Sequence, residues 1–373
     1  MAGLFMLNWK GMGRVKVLHI DTGREWRGGQ RQALFLHEGL LGKGIESRLL
    51  CNSEGQLYQR EFDGKTGLPF HGELNPVFVR QVLRMVRDEQ FDIIHSHDAH
   101  ALTPTLFVKM FYKDVRLVHT RRVDFSVNKN RFSRLKYTNK WVDSVVAISK
   151  AVKNVLVEDG LDADAVPIIN SGVRFPEHVE MSAIEQTASE LGVSGFKVIG
   201  NISNFADHKD HKTLIRAFDA LCQSRSDVKL LLVGDGPLYD EIVEFSRTLA
   251  CFDRIVFTGH RDDVYELMHI MDLFSLTSTT EGLGTTIIDA LYMGLPVVAT
   301  RAGGIPELVQ DGENGFLAEI KDVSAITGFF EKLLEDTALR NRLSENARNS
   351  AENFSDKRMV EQYIALYEQV LAV

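Results

Sequence analysis

The chain alternates short apolar runs with amphipathic segments, and it does so twice. In the first half, residues 15–20, 48–51, 91–95, 115–119 and 144–148 read as strands, and stretches of helical periodicity such as 32–41 separate them. Near-continuous apolar strands joined by crossover helices predict a parallel sheet buried on both faces. Residues 166–169 close this half. Asn170-Ser171-Gly172-Val173 then leads into a polar, Glu-rich connector that reaches about Glu190. A second alternation begins at Val198, with strands predicted at 198–202, 229–233, 255–258, 273–276 and 296–299. A single hydrophobic core stops growing at roughly 250–300 residues, so 373 residues favour more than one domain. The expected organisation is an α/β domain over residues 1–173, a linker at 174–194 and a second α/β domain at 195–355. A final helix spans about 356–373. Two such sheets in tandem put a site in the cleft between them, at the carboxyl ends of the strands.

Composition removes several classes. Hydrophobic content of 44% and charged content of 25% are ordinary for a globular chain, and a net charge of −8 argues against bulk attraction to nucleic acid. Cys51, Cys222 and Cys251 are scattered without a C-x-x-C, so neither a disulfide nor a zinc framework is predicted and a reducing cytoplasm fits. No apolar run approaches the roughly 20 residues needed to span a bilayer. The patch at residues 4–7, with Trp9 and Lys10, is too short for a secretory signal. It reads as a frayed leader before a natural start at Met12, with a weak interfacial anchor as the alternative.

Residues 278–307, S-T-T-E-G-L-G-T-T-I-I-D-A-L-Y-M-G-L-P-V-V-A-T-R-A-G-G-I-P-E, carry the most chemistry. Glu281 lies in a glycine-punctuated turn, Gly282-Leu283-Gly284. Thr285 and Thr286 then open an apolar-periodic helix that Gly294 and Pro296 stop. A glycine turn opening a helix presents backbone N–H groups and the positive dipole end, a site suited to phosphate. Glu281 and Asp289, read as sharing one helix face, supply hydroxyl acceptors on either side. Together these elements suit a nucleotide-sugar.

This stretch resembles the E-G-x-G-x-x-x-x-E signature of the retaining, nucleotide-sugar-dependent glycosyltransferases of family 4, which have the GT-B fold of two Rossmann-like domains. Further matches follow in order: Gly28-Gly29-Gln30, Val118-His119-Thr120, Ala147-Ile148-Ser149, Lys209-Asp210, Val233-Gly234-Asp235-Gly236-Pro237 and Gly259-His260. The resemblance covers roughly residues 14–373. It implies parallel sheets facing a central cleft, with the C-terminal helix crossing back onto the first domain. It makes Lys209 the phosphate-binding lysine, and it sets Glu281 against the donor sugar hydroxyls or the anomeric region. His119 falls near the transferred sugar, and Asp289, in place of the family's second glutamate, on the ribose. Gly28 and Gly29 let the backbone approach donor phosphates and acceptor, and the backbone around His260 and Arg261 reads the base. Leu283, Gly284 and Thr285 complete the donor cradle.

The chain departs from the family at Asn204, where an arginine usually stands five residues before the lysine. A permanent charge and a bidentate donor are missing there. The helix start at 284–286, His208 and Arg301 are the candidates to replace it. Asn204 also motivates a second reading, a nucleotide-sugar-binding homologue with little or no turnover. A third is a GT-B sugar-nucleotide epimerase. A nicotinamide dehydrogenase fits poorly, because neither first strand is followed by G-x-G-x-x-G. His95, His97, Asp98 and His100 are metal-ligand types, but their spacing does not enforce a cluster. The resembling family dispenses with the Asp-x-Asp metal motif, so no metal or other cofactor is expected. Between Thr105 and Lys140 ten basic residues face two acids, with aromatic residues interleaved. The segment from Lys109 to Lys140 reads as a dock for an anionic membrane surface or a phosphorylated glycolipid acceptor. The leading expectation is a cytoplasmic glycosyltransferase, peripheral on the inner membrane face, that builds a cell-envelope glycan or a lipid-linked acceptor such as lipopolysaccharide.

Overall fold

The computed structural model describes residues 15–128, 131–176 and 180–372, with Arg131 described by its backbone alone. The patch at residues 4–7 and Lys129 lie outside the described residues. The first sheet comprises β1 (Lys16–Asp21), β2 (Glu46–Asn52), β3 (Lys65–Leu68), β4 (Ile93–Ser96), β5 (Arg116–Arg121) and β6 (Ser144–Ala147). Their order is β3-β2-β1-β4-β5-β6. The second comprises β7 (Lys197–Ile202), β8 (Val228–Val233), β9 (Ile255–Gly259), β10 (Leu273–Leu276), β11 (Val297–Thr300) and β12 (Gly315–Ala318), ordered β12-β11-β10-β7-β8-β9. Every pairing within the two sheets is parallel. In each sheet the winding reverses beside its first strand, between β1 and β4 and between β7 and β10. Crevices at such reversals, beyond the carboxyl ends of the strands, are where doubly wound folds hold ligands.

The apolar strands form as read because both sheet faces are covered: β4, β6, β10, β11 and β12 are buried throughout. Two edge strands, β3 and β12, were not foreseen. Residues 166–169 contribute only an isolated bridge, Ala147 to Ile168. The connector holds a helix, Met181–Glu190, packed against Val264–His269.

The last helix, Asp356–Ala372, does return to the first domain. Met359, Val360, Tyr363 and Tyr367 bury themselves among Val17, Leu36, Leu40 and Ile93. Gly39 permits the close crossing, since a Cβ there would lie 2.3 Å from Val360 Cγ2. The two tyrosines satisfy their hydroxyls at the end of the first sheet, Tyr363 with Thr120 Oγ1 at 2.8 Å and Tyr367 with His95 Nδ1 at 2.6 Å. Among the described residues no helix is long and apolar enough to cross a membrane.

Candidate functional site

The site is built where the ends of β7 and β10 meet the ends of β1, β4 and β5. On the second domain, the loop after β7 is tied to the loop after β10. Thr279 N donates to His208 O at 2.8 Å and Thr277 Oγ1 to Asp210 O at 3.0 Å. Asp210 takes a left-handed conformation (φ 47°) and caps the helix His211–Leu221. This brings Lys209 Nζ into an ion pair with Glu281 Oε2, which also accepts from Ser278 Oγ at 3.3 Å. Both side chains are about 15% exposed, largely withdrawn from solvent.

The glycines of the motif are accounted for by close approaches. Gly284 (φ 90°) precedes the helix Thr285–Tyr292; Ile287 N donates to Gly284 O at 2.9 Å, which leaves the first-turn amides of Thr285 and Thr286 without an acceptor among the described residues. A Cβ on Gly282 would lie 2.3 Å from the carbonyl oxygen of Arg122 in the first domain. Gly303 (φ 50°) would put a Cβ 2.0 Å from Glu281 O, and Gly304 N donates to that same oxygen at 2.8 Å. The two glycine turns therefore interlock around the peptide that carries Glu281. Leu283 is buried in the core, so the cradle receives only its backbone. The Gly234–Gly236 turn packs its backbone on Ser203 O and Phe205 O, buttressing the loop that presents Lys209.

Glu281 and Asp289 do not share a helix face, because the helix begins only at Thr285. Asp289 is wholly buried with both oxygens engaged: Arg31 Nη2 donates to Oδ2 and Tyr265 OH to Oδ1, each at 2.8 Å. A ribose hydroxyl on Asp289 would have to join or displace these partners. Asn204 is half-buried, and its side chain makes no hydrogen bond among the described residues. Two of its expected substitutes are spent. Arg301 pairs with Asp311 and Glu319. Burial, then the neighbouring Lys209, lowers the His208 pKa and disfavours its charged form. Arg261 is held by Asp263 and Glu190, while His260 is exposed beside Asp262.

From the first domain, Gly28 and Gly29 open the helix Gly28–Gly42. A Cβ on Gly28 would meet Thr285 Oγ1 at 3.3 Å, so the two helix starts face each other. His119 is buried, with Nδ1 2.9 Å from Ser96 Oγ and Nε2 without a partner among the described residues. Burial, then Arg121 and Arg122, pushes its pKa down to about 3, so it is a neutral hydrogen-bonding group.

His95 and His97 come together with the unforeseen His19, their ligand atoms within 4.8 Å of one another. All of their nitrogens but His19 Nε2 are used in hydrogen bonds: His95 to Tyr367 and Thr120, and His97 to His19 at 2.8 Å and to Arg122. Asp98 and His100 stand apart from this group, Asp98 capping the helix Ala99–Phe111 and His100 on Glu73. Asp21, at the end of β1, is held up to about 6 by burial and by Asp98.

The domains also meet through residues that sequence reasoning passed over. Asp124 Oδ2 accepts from Glu281 N at 2.9 Å, and Glu307 accepts from the amides of Lys150 and Ala151. The basic segment is less of a surface than its composition implied. Lys109 turns inward to Val115 O and Asp143, Arg116 to Asp143, and Lys136 to Glu73. Arg121 bonds Tyr137 and Phe125 O. Exposed nearby are the apolar Phe111, Phe125, Phe132 and Leu135, with Leu74 beside Glu73, and the basic Lys113, Arg134 and Lys140.

Comparison with known proteins agrees with this architecture. The family model described as Glycosyltransferase Family 4 matches residues 26–175, and Glycosyl transferases group 1 matches residues 184–350. The chain is 31% identical to the lipopolysaccharide core biosynthesis glycosyltransferase LpsE of Rhizobium meliloti, over 94% of this chain and 98% of the relative. It is 32% identical to the N-acetyl-alpha-D-glucosaminyl L-malate synthase of Bacillus anthracis, over 78% of each. Among solved structures, Anabaena HepE in complex with UDP and glucose superposes with a TM-score of 0.84 at 24% identity, covering 95% of this chain and 99% of that one.

Proposed function

Since the chain belongs to glycosyltransferase family 4, with the GT-B fold, we propose that it is a retaining transferase of one particular kind. In this reading it moves a sugar from a nucleoside-diphosphate donor to a cell-envelope glycan or a lipid-linked acceptor such as lipopolysaccharide. The observation that carries the reading is the Lys209–Glu281 pair at the head of the helix Thr285–Tyr292, inside the interdomain crevice. Breaking the bond between the anomeric carbon and the phosphate oxygen leaves charge on the departing diphosphate. Lys209 and the first-turn amides neutralise that charge. Glu281 accepts hydrogen bonds from donor hydroxyls while held by Lys209 and Ser278, which makes it a positioner and a poor nucleophile. The acceptor hydroxyl then attacks from the face the phosphate leaves. Its proton passes to a departing phosphate oxygen, and configuration is kept. Neutral His119, with its unpartnered nitrogen, orients a hydroxyl.

The donor class is supported by the solved HepE complexes, which hold UDP with glucose or UDP-glucose. The acceptor class is supported by the relatives LpsE and LpsD, both named for lipopolysaccharide core biosynthesis. The exposed apolar side chains of the first domain suit a lipid-bearing acceptor and support a position on the cytoplasmic membrane face.

The test is a transfer assay of purified protein with UDP-, GDP- and ADP-sugars and lipopolysaccharide acceptors, with the product anomer read by NMR. Transfer with the donor's anomeric configuration preserved is the expected result. An inverted product removes the retaining mechanism. Absence of transfer, together with no nucleotide-dependent rise in melting temperature, removes the donor site.

A further inference from the structure

Arg122 carries a guanidinium that has no acidic partner among the described residues. Its one hydrogen bond among the described residues is from Nη2 to His97 Nδ1, at 3.1 Å, and its Nε is buried and unpartnered. A guanidinium can only donate, so His97 Nδ1 carries the lone pair and His97 Nε2 carries the proton. That proton goes to His19 Nδ1, which leaves His19 Nε2–H as the unpartnered end of the chain. The cation is thus backed by two imidazoles that burial keeps neutral. Asp21 is the acid that faces it, but its oxygens accept from Gly23 N and Gln30 Nε2. By contrast, Arg31 has Asp289. A cation withdrawn from water without a countercharge is costly, and an anionic ligand relieves that cost.

Its position says which anion. The carbonyl of Arg122 lies against Gly282 of the donor turn, and its Cδ is 3.5 Å from where a Gly29 Cβ would be. The adjoining Gly28 faces Thr285 Oγ1 on the donor helix. The side chain therefore runs beside the place where the two helix starts confront each other.

We propose that Arg122, from the first domain, binds the departing diphosphate of the donor and supplies the charge that Asn204 leaves out of the second domain. The assignment rests on the nucleotide-sugar reading above.

The experiment compares wild type, Arg122→Gln, Arg122→Lys and the double variant Arg122→Gln/Asn204→Arg. The probe is whichever of UDP, GDP and ADP raises the wild-type melting temperature most, with its nucleoside as control. Arg122→Gln is expected to lose about tenfold or more in diphosphate affinity, with nucleoside affinity unchanged. Its ligand-free melting temperature should be equal or higher, because an uncompensated cation has been removed. Arg122→Lys should retain part of the affinity, and Asn204→Arg should restore part of it in the Gln background. Unchanged diphosphate affinity in Arg122→Gln overturns the proposal and leaves the donor site standing. A lowered ligand-free melting temperature, with equal losses for nucleoside and diphosphate and no rescue, shows a structural role and also overturns it. Failure of the wild type to bind any of the three diphosphates removes the donor site itself.

Discussion

Lys209 and Glu281 meet because Thr277 and Thr279 sew two loops together and because glycine at 303 and 304 lets a second turn close on Glu281 O. The carboxylate is thereby fixed before any substrate arrives. Replacing it with its neutral isostere, Glu281→Gln, should keep the fold and lower kcat by about a hundredfold or more, the scale of one pre-organised electrostatic contact. Steady-state kinetics beside a melting curve checks this, and a kcat within twofold of wild type would contradict it. The motif itself was legible at this scale because glycine, threonine and carboxylate at that spacing have few other uses. The partners of Glu281 and Asp289 were not. Asp124 and Arg31 lie 157 and 258 residues away along the chain, and no local pattern marks them. Arg122 was visible only as one charge in a basic count.

At the scale of elements, two helices carry the tests. The helix Gly28–Gly42 sends Arg31 across to the wholly buried Asp289, so Arg31→Ala leaves a charge without its partner. Such a loss costs about 3 kcal/mol or more, whereas Arg31→Ala/Asp289→Asn should recover much of it. Urea unfolding of the single and double variants measures the coupling, and strictly additive effects would show that the pair does not hold the domains together. The helix Arg131–Thr138 displays Phe132 at 82% and Leu135 at 57% exposure, while its Lys136 is turned onto Glu73. Membrane docking through it should depend on apolar insertion more than on charge. Phe132→Asp/Leu135→Asp should then abolish vesicle co-sedimentation, while 0.5 M salt weakens it only modestly. Strong salt sensitivity with no effect of the variant would restore the basic-segment explanation.

Most strands were readable because a parallel sheet covered on both faces demands unbroken apolar runs. The four-residue edge strands β3, K-T-G-L, and β12, G-F-L-A, have too little of that signal to stand out. Gly28 and Gly29 stand in the first turn of a helix, where glycine is a weak helix former. Here the missing side chains serve the approach of Thr285 and Arg122 to a helix start.

Across the whole molecule, six histidines among the described residues, His19, His37, His95, His97, His119 and His211, are buried with pKa values driven down first by desolvation. The unfolded chain takes up protons on them as pH falls below about 6.5 and the native state does not. Stability should therefore fall with acidification from that point, by up to about 1.4 kcal/mol per unit for each group. Asp21, raised to about 6, acts oppositely, losing stability as pH rises from about 4 to 6, but it is one group against six. Urea midpoints at pH 7.5 and 5.5 check the sign. Transfer should also survive excess EDTA, since the nitrogens of the His19–His95–His97 group are committed largely to hydrogen bonds. A loss of rate restored by a divalent cation would reassign that group.

The central claim is that a nucleoside-diphosphate sugar lies between the two domains with its diphosphate at the start of the helix Thr285–Tyr292. A crystal structure of the protein with its donor measures this most directly. The diphosphate should appear within hydrogen-bonding distance of Lys209 and the first-turn amides, with the sugar hydroxyls on Glu281. Density for the donor at any other place, with the Lys209–Glu281 crevice empty, would contradict the account.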